Sequence, residues 1–171
     1  MTAVQRCLLL LVGLSSSATL TVAQPQDRTD DLRNWFDDPF VQLSAEIADC
    51  PLPRGPFMTA SERQQQAHRR IESGTSCFLA GECDRPSAYA YDRDIATELL
   101  GSIASAADLR GTALWVTVQG RNVFIEGCAF DAGSVTAVER LAQRVRFVRH
   151  VSVSVRTSPD APVPYRLMDP K

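Results

Sequence analysis

Between Asp92 and Thr157 the apolar residues change their spacing repeatedly, and the order of those changes leaves few folds open. Ile95, Leu99, Ile103 and Ala107 recur every four residues, one helix face that Asp92 or Asp94 can cap. Gly111 ends the connection that follows. Leu114-Val116-Val118 then alternates with Trp115-Thr117, the period of two of a half-buried strand. Gln119-Gly120-Arg121-Asn122 supplies a tight turn, and Val123-Ile125 alternates with Phe124-Glu126, so the two runs form a hairpin. Asp131 or Ser134 caps a second helix, with Val135, Val138, Leu141, Ala142 and Val145 facing inward. A last strand sets Val151, Val153 and Val155 against His150, Ser152 and Ser154. The predicted fold class is α+β: an αββαβ unit with a three-stranded sheet and two helices, preceded by a disulfide-stapled, partly helical segment.

Two helices cover one face of such a sheet. The aliphatic set fits the covered face. The other face carries Trp115, Thr117, Phe124, Glu126, Cys128, His150, Ser152 and Ser154. Trp115 and Phe124 make an apolar patch, which calls for a partner or an internal cover. Residues 35–91, with Trp35, Phe36, Phe40 and Phe78, are the internal candidate and the favoured one.

The first 23 residues read as a signal peptide. Arg6 is their only charge, Leu8–Leu14 is apolar, and Thr21-Val22-Ala23 offers small residues at the cleavage positions. Cleavage leaves a chain from about Gln24 with 17 basic and 20 acidic residues. No apolar run in that chain reaches the ~20 residues that cross a bilayer. The expectation is an exported, periplasmic protein. Residues 24–34 are polar and acidic, an expected disordered segment. Thr59 and Glu62 read as a capping box for a helix from about Ala60 to Ile71 or Glu72, stopping at Gly74, with Ala60, Ala67 and Ile71 as its apolar contacts. Four prolines make residues 158–171 an extended, mobile tail.

Cys50, Cys77, Cys83 and Cys128 remain after cleavage, and two disulfides among them allow three pairings. The favoured one closes a small loop, Cys77–Cys83, and cross-links the two halves through Cys50–Cys128. Zinc is the alternative, but Cys77 and Cys83 are spaced wider than the usual two to four residues and no histidine sits beside them. No metal and no cofactor is expected.

The 92–157 unit resembles the BON domain of bacterial exported proteins. The resemblance rests on Trp115-Val116-Thr117-Val118, Asn122-Val123-Phe124-Ile125-Glu126-Gly127, Glu139-Arg140-Leu141-Ala142 and Val148-Arg149-His150-Val151. Gly127 stands after the second strand and Val148/Val151 enter the third, as the family pattern has it. The chain carries one such unit where two are common, and the cysteine-bearing residues 35–91 fall outside the resemblance. The resemblance implies a cell-envelope protein with phospholipid or membrane-surface association and a part in stress response.

No catalytic motif is present: no Gly-x-Ser-x-Gly, no phosphate loop and no Gly-x-Gly-x-x-Gly. His68 and Glu72 share a helix face, which reads as a surface pair before a metal half-site. Residues 26–50 hold seven acids and two arginines, whereas residues 131–157 hold five arginines and two acids. Arg140, Arg144, Arg146 and Arg149 form a basic cluster suited to anionic headgroups, or else an ordinary solvated face answered by the chain's own acidic end. The expected function is non-enzymatic binding to an anionic phospholipid surface or an envelope protein, with no nucleic-acid partner. The alternative is a periplasmic scaffold that packs on protein partners or on itself.

Overall fold

The computed structural model describes residues 32–103 and 109–168. The signal peptide, the acidic residues up to 31, Ala107 and residues 169–171 lie outside the described residues. The elements are β1 (Phe40–Ala45), α1 (Ala60–Leu79), a 3₁₀ turn (Ala88–Tyr91), α2 (Asp92–Ile103), β2 (Thr112–Gln119), β3 (Asn122–Ala129), α3 (Ala132–Arg144) and β4 (His150–Arg156). One sheet runs in the order β1-β2-β3-β4. The first two junctions are antiparallel and β3–β4 is parallel, joined across α3.

The sheet therefore has four strands, not three. β1 adds to β2 with Phe40 opposite Thr117 and Gln42 opposite Trp115. Its register shifts between Gln42 and Ser44, so the bulge at Leu43 breaks the alternation that would have marked a strand.

Leu114, Val116, Val118, Val123 and Ile125 are fully buried on the helix side of the sheet, with Ile95 and Leu99 of α2 and Val138 and Ala142 of α3. Val153 and Val155 pack at the margin of this core. The hairpin tip puts Gly120 and Arg121 at φ of 58° and 68°. Both are left-handed, which twists the turn in the sense the strands require. Asp92 does not cap α2. Its Oδ2 and Oδ1 accept from the amides of Gly120 (2.7 Å) and Arg121 (2.8 Å), pinning that turn to the helix start. Burial pushes the Asp92 carboxyl up to about 6, against the pull of the Arg121 and Gly120 amides, with Asp38 adding to the rise.

Thr59 and Glu62 complete the capping box of α1, but the helix does not stop at Gly74. Gly74 is buried, and a Cβ there would meet the Tyr89 ring at 3.1 Å and Ser87 Oγ at 3.2 Å. The residue permits close packing on the 3₁₀ turn; it is not a terminator. The helix ends five residues later. Gly81, at φ 71°, donates to Phe78, and Glu82 donates to Cys77, the paired bonds of a left-handed C-cap. Ala60 is exposed and Ile71 is 68% exposed; α1 is held instead by Arg70, Gly74 and Cys77. Arg70 donates to both oxygens of the buried Asp38, at 2.9 and 2.7 Å.

The structure joins Cys50 to Cys128 and Cys77 to Cys83. Around the first bridge residues 165–168 are held, not mobile. Arg54 donates to the Arg166 carbonyl (2.7 Å), Met168 to Leu52 (3.1 Å), and Tyr165 Oη to Pro51 (2.8 Å). Residues 158–168 are thus a strap over residues 50–54. Glu62 clamps both sides of it, accepting from Arg54 and from Arg166 Nη2 (2.6 Å).

The far face of the sheet is covered in part. Trp35 and Phe36 do not lie on it: Trp35 Nε1 donates to Met58 between Arg33 and Arg63, and Phe36 stacks under Arg70. Phe78 is 45% exposed. Cover comes from Phe40, which meets Phe57 edge-on, and from the Cys50–Cys128 bridge with Tyr165 beside it.

Candidate anionic-surface site

Helix α3 is amphipathic. Val138 and Ala142 face the sheet, which turns Arg140 and Arg144 outward four residues apart. Its N-terminus is fixed by Asp131, whose Oδ2 accepts from the Ser134 amide at 2.7 Å. Helix α2 packs beside it, and the two enclose a groove of about 380 Å³ lined by Glu98, Ser102, Ala137, Arg140, Leu141, Arg144 and Val145. The floor is aliphatic and one wall is cationic. Among the described residues neither Arg140 nor Arg144 makes an ion pair; Arg140 Nε donates only within the helix, to the Thr136 carbonyl.

The four arginines do not form one cluster. Arg146 donates to Glu98 Oε2 at 3.1 Å, so its charge is answered at the groove's rim. Arg149 is exposed at the start of β4, its amide bonded to the Arg121 carbonyl. The described acids of the N-terminal side are engaged elsewhere: Asp37 pairs with Arg93, Asp38 with Arg70, and Glu46 accepts from the Gly111 amide.

Trp115 and Phe124 lie on the opposite face of the sheet, in adjacent rows, each half-buried. His68 and Glu72 are an exposed pair 3.2 Å apart. Among the described residues no group of three metal-ligating side chains converges. No described helix is long and apolar enough to cross a membrane.

A sheet with helices on one face, and a groove between those helices walled by arginines, defines a small α+β domain. Residues 91–159 match the family model described as BON domain, so the chain carries a BON domain across α2, the hairpin, α3 and β4. Domains of this family are associated in general with phospholipid or membrane-surface binding. Comparison with curated proteins and with solved structures gave no match. Strand β1, helix α1 and most of the strap fall outside the matched residues.

Proposed function

We propose that this is an exported, non-enzymatic cell-envelope protein that associates weakly with anionic phospholipid surfaces through the groove between α2 and α3. The observation that carries this reading is the pair of exposed, unneutralised guanidinium groups, Arg140 and Arg144, above the aliphatic floor of Ala137, Leu141 and Val145. Guanidinium groups bind phosphate oxygens in bidentate fashion, and apolar floor beside them accepts the glycerol and first methylenes of a lipid. Each exposed arginine near an anionic leaflet contributes about 1 kcal/mol, so two give weak, salt-sensitive attachment.

Cosedimentation with vesicles of phosphatidylglycerol and phosphatidylcholine tests this. Binding falls as salt rises and falls further in Arg140→Ala/Arg144→Ala, whereas Arg149→Ala has a smaller effect. Salt-independent binding, or binding untouched by the double substitution, rejects the groove as the site.

A further inference from the structure

The cross-strand register makes rows on the far face of the sheet. Gln42, Trp115, Glu126 and Ser154 stand in one row from edge to edge. In the rows on either side Thr117 is 4% exposed and Cys128 fully buried, while Gln42 is exposed and Trp115 and Glu126 are half-buried. Phe124, Ser152 and Arg156 in those rows are half-buried as well; what distinguishes the middle row is that none of its four residues, Gln42, Trp115, Glu126 and Ser154, is buried. Directly opposed side chains on neighbouring strands have Cβ atoms about 4.5–5.5 Å apart, so Trp115 and Glu126 leave the sheet side by side.

Elsewhere this protein answers that combination with an arginine. Arg70 lies 4.1 Å from the Phe36 ring and 3.9 Å from the Tyr89 ring while it bonds the Asp38 carboxylate. Arg85 lies 4.5 Å from the Tyr91 ring and reaches Asp94 at 2.7 Å. Trp35 is faced by Arg33 and Arg63. At Trp115 and Glu126 the ring and the carboxylate are both present, and among the described residues no ion pair is made to Glu126 and no cation stacks on Trp115; the Tyr165 hydroxyl, on which Glu126 and Arg156 act with opposite sign, is the polar group beside them. Glu126 makes no hydrogen bond or ion pair among the described residues, and burial raises its carboxyl above the ordinary range. The nearest basic residue in the next row, Arg156, donates its Nε to the Ala161 carbonyl at 2.9 Å.

We propose that Trp115 and Glu126 form a recognition site for the guanidinium group of an arginine presented by a partner protein. The charge complementarity is to the lone carboxylate. The planar, weakly hydrated guanidinium stacks on an indole where a compact ammonium does so less well. The site lies on the opposite side of the sheet from Arg140 and Arg144 and stands or falls independently of the lipid reading.

The experiment is a titration of the full mature chain, followed through the two tryptophan indole NMR signals and assigned with Trp35→Phe. The probes are an acetyl-Gly-Arg-Gly-amide peptide and its neutral citrulline isostere. The arginine peptide moves the Trp115 signal saturably, with a dissociation constant in the millimolar range, and leaves Trp35 in place. The citrulline peptide binds at least about tenfold more weakly, and Glu126→Gln loses the preference. Equal shifts from the two peptides, or no saturable shift with either, overturn the proposal on the unmodified protein, whatever the variant does. An unchanged preference in a folded Glu126→Gln overturns the role given to the carboxylate.

Discussion

The two disulfides divide the stability of the molecule unequally, and the structure fixes the ratio. Cys50 and Cys128 are 78 residues apart, whereas Cys77 and Cys83 are six apart. A cross-link restricts the unfolded chain by an entropy that grows with the logarithm of the loop it closes. At room temperature that gives about 4.5 kcal/mol for the long loop and about 2 kcal/mol for the short one. The short loop lies inside the long one, but shortening the long loop by a few residues changes its value by only a few tenths of a kcal/mol. Local packing adds in the same direction. Tyr165 Oη lies 3.6 Å from Cys50 Sγ and 4.0 Å from Cys128 Sγ, so losing the first bridge also loosens the strap. Cys77–Cys83 only closes the end of α1.

The perturbation is a pair of double substitutions, Cys50→Ala/Cys128→Ala and Cys77→Ala/Cys83→Ala, each leaving the other bridge intact. Urea unfolding at pH 7, read by far-ultraviolet circular dichroism, gives the free energy by linear extrapolation. The first variant loses at least about 2 kcal/mol more than the second. Its slope against urea also rises, because an unfolded chain without the long loop exposes more surface. Equal losses, or a larger loss for the short bridge, refute the reasoning: the long bridge would then be strained or superfluous in the native state.

Two carboxylates give pH dependences of opposite sign. Burial alone would raise Glu62, but hydrogen bonds from Arg166, the Thr59 amide and Arg54 overcome it and hold the group down at about 2. Its stabilisation is therefore complete above the ordinary carboxylate range and is lost as pH falls from about 4.5 to 2. The drop from 4.5 to about 2 converts to about 3 kcal/mol, and solvent screening of this partly exposed cluster leaves about 1–2 kcal/mol. Glu62→Gln costs that much in urea unfolding at pH 7, frees residues 158–168 to hydrogen exchange, and costs nothing near pH 2; an equal deficit at both pH values counts against the clamp. Asp92, raised to about 6, behaves the other way: the folded state holds its proton more tightly, so this contribution is present at low pH and is lost as pH rises through 6. The amide signals of Gly120 and Arg121 titrate together with a midpoint near 6, and Asp92→Asn abolishes the transition; a midpoint at or below 4 refutes the burial argument.

The second half of the molecule was legible because its periods are local. Leu114 to Val118 and Val123 to Ile125 alternate without interruption, and each inward residue is buried. The α3 stripe from Val135 to Val145 reads the same way. What stayed hidden depends on partners far along the chain. β1 has four apolar residues, Phe40, Val41, Leu43 and Ala45, whose alternation is broken by a bulge, and it is a strand only because β2 offers an edge. Gly74 has the composition of a helix stop, and only Tyr89, 15 positions on, makes it a packing glycine. Asp92 has the composition of a cap, and its partners are 28 and 29 residues away. The tail looks mobile by its prolines, yet Tyr165 and Arg166 reach residues more than 100 positions earlier. The arginine cluster was visible as charge, but its division by Glu98 was not.

The division of the sheet into two faces also constrains how a single small domain can act. Arg140 and Arg144 sit outside the helices that cover one face, and Trp115 and Glu126 open on the other. A helix layer on a sheet places these sites on the order of 10 Å or more apart, about one Debye length at physiological ionic strength. Occupying one therefore does not obstruct the other sterically and alters it little electrostatically. A chain attached to an anionic surface through the groove still presents its carboxylate and indole away from that surface, toward a cationic partner. The strap and the Cys50–Cys128 bridge flank that second face, so they shape the arginine site while leaving the groove alone. Substitutions in Glu62 or Tyr165 should accordingly change the response of Trp115 to an arginine peptide and leave vesicle binding unaltered; if both respond in parallel, the two faces are coupled through the fold and are not separate.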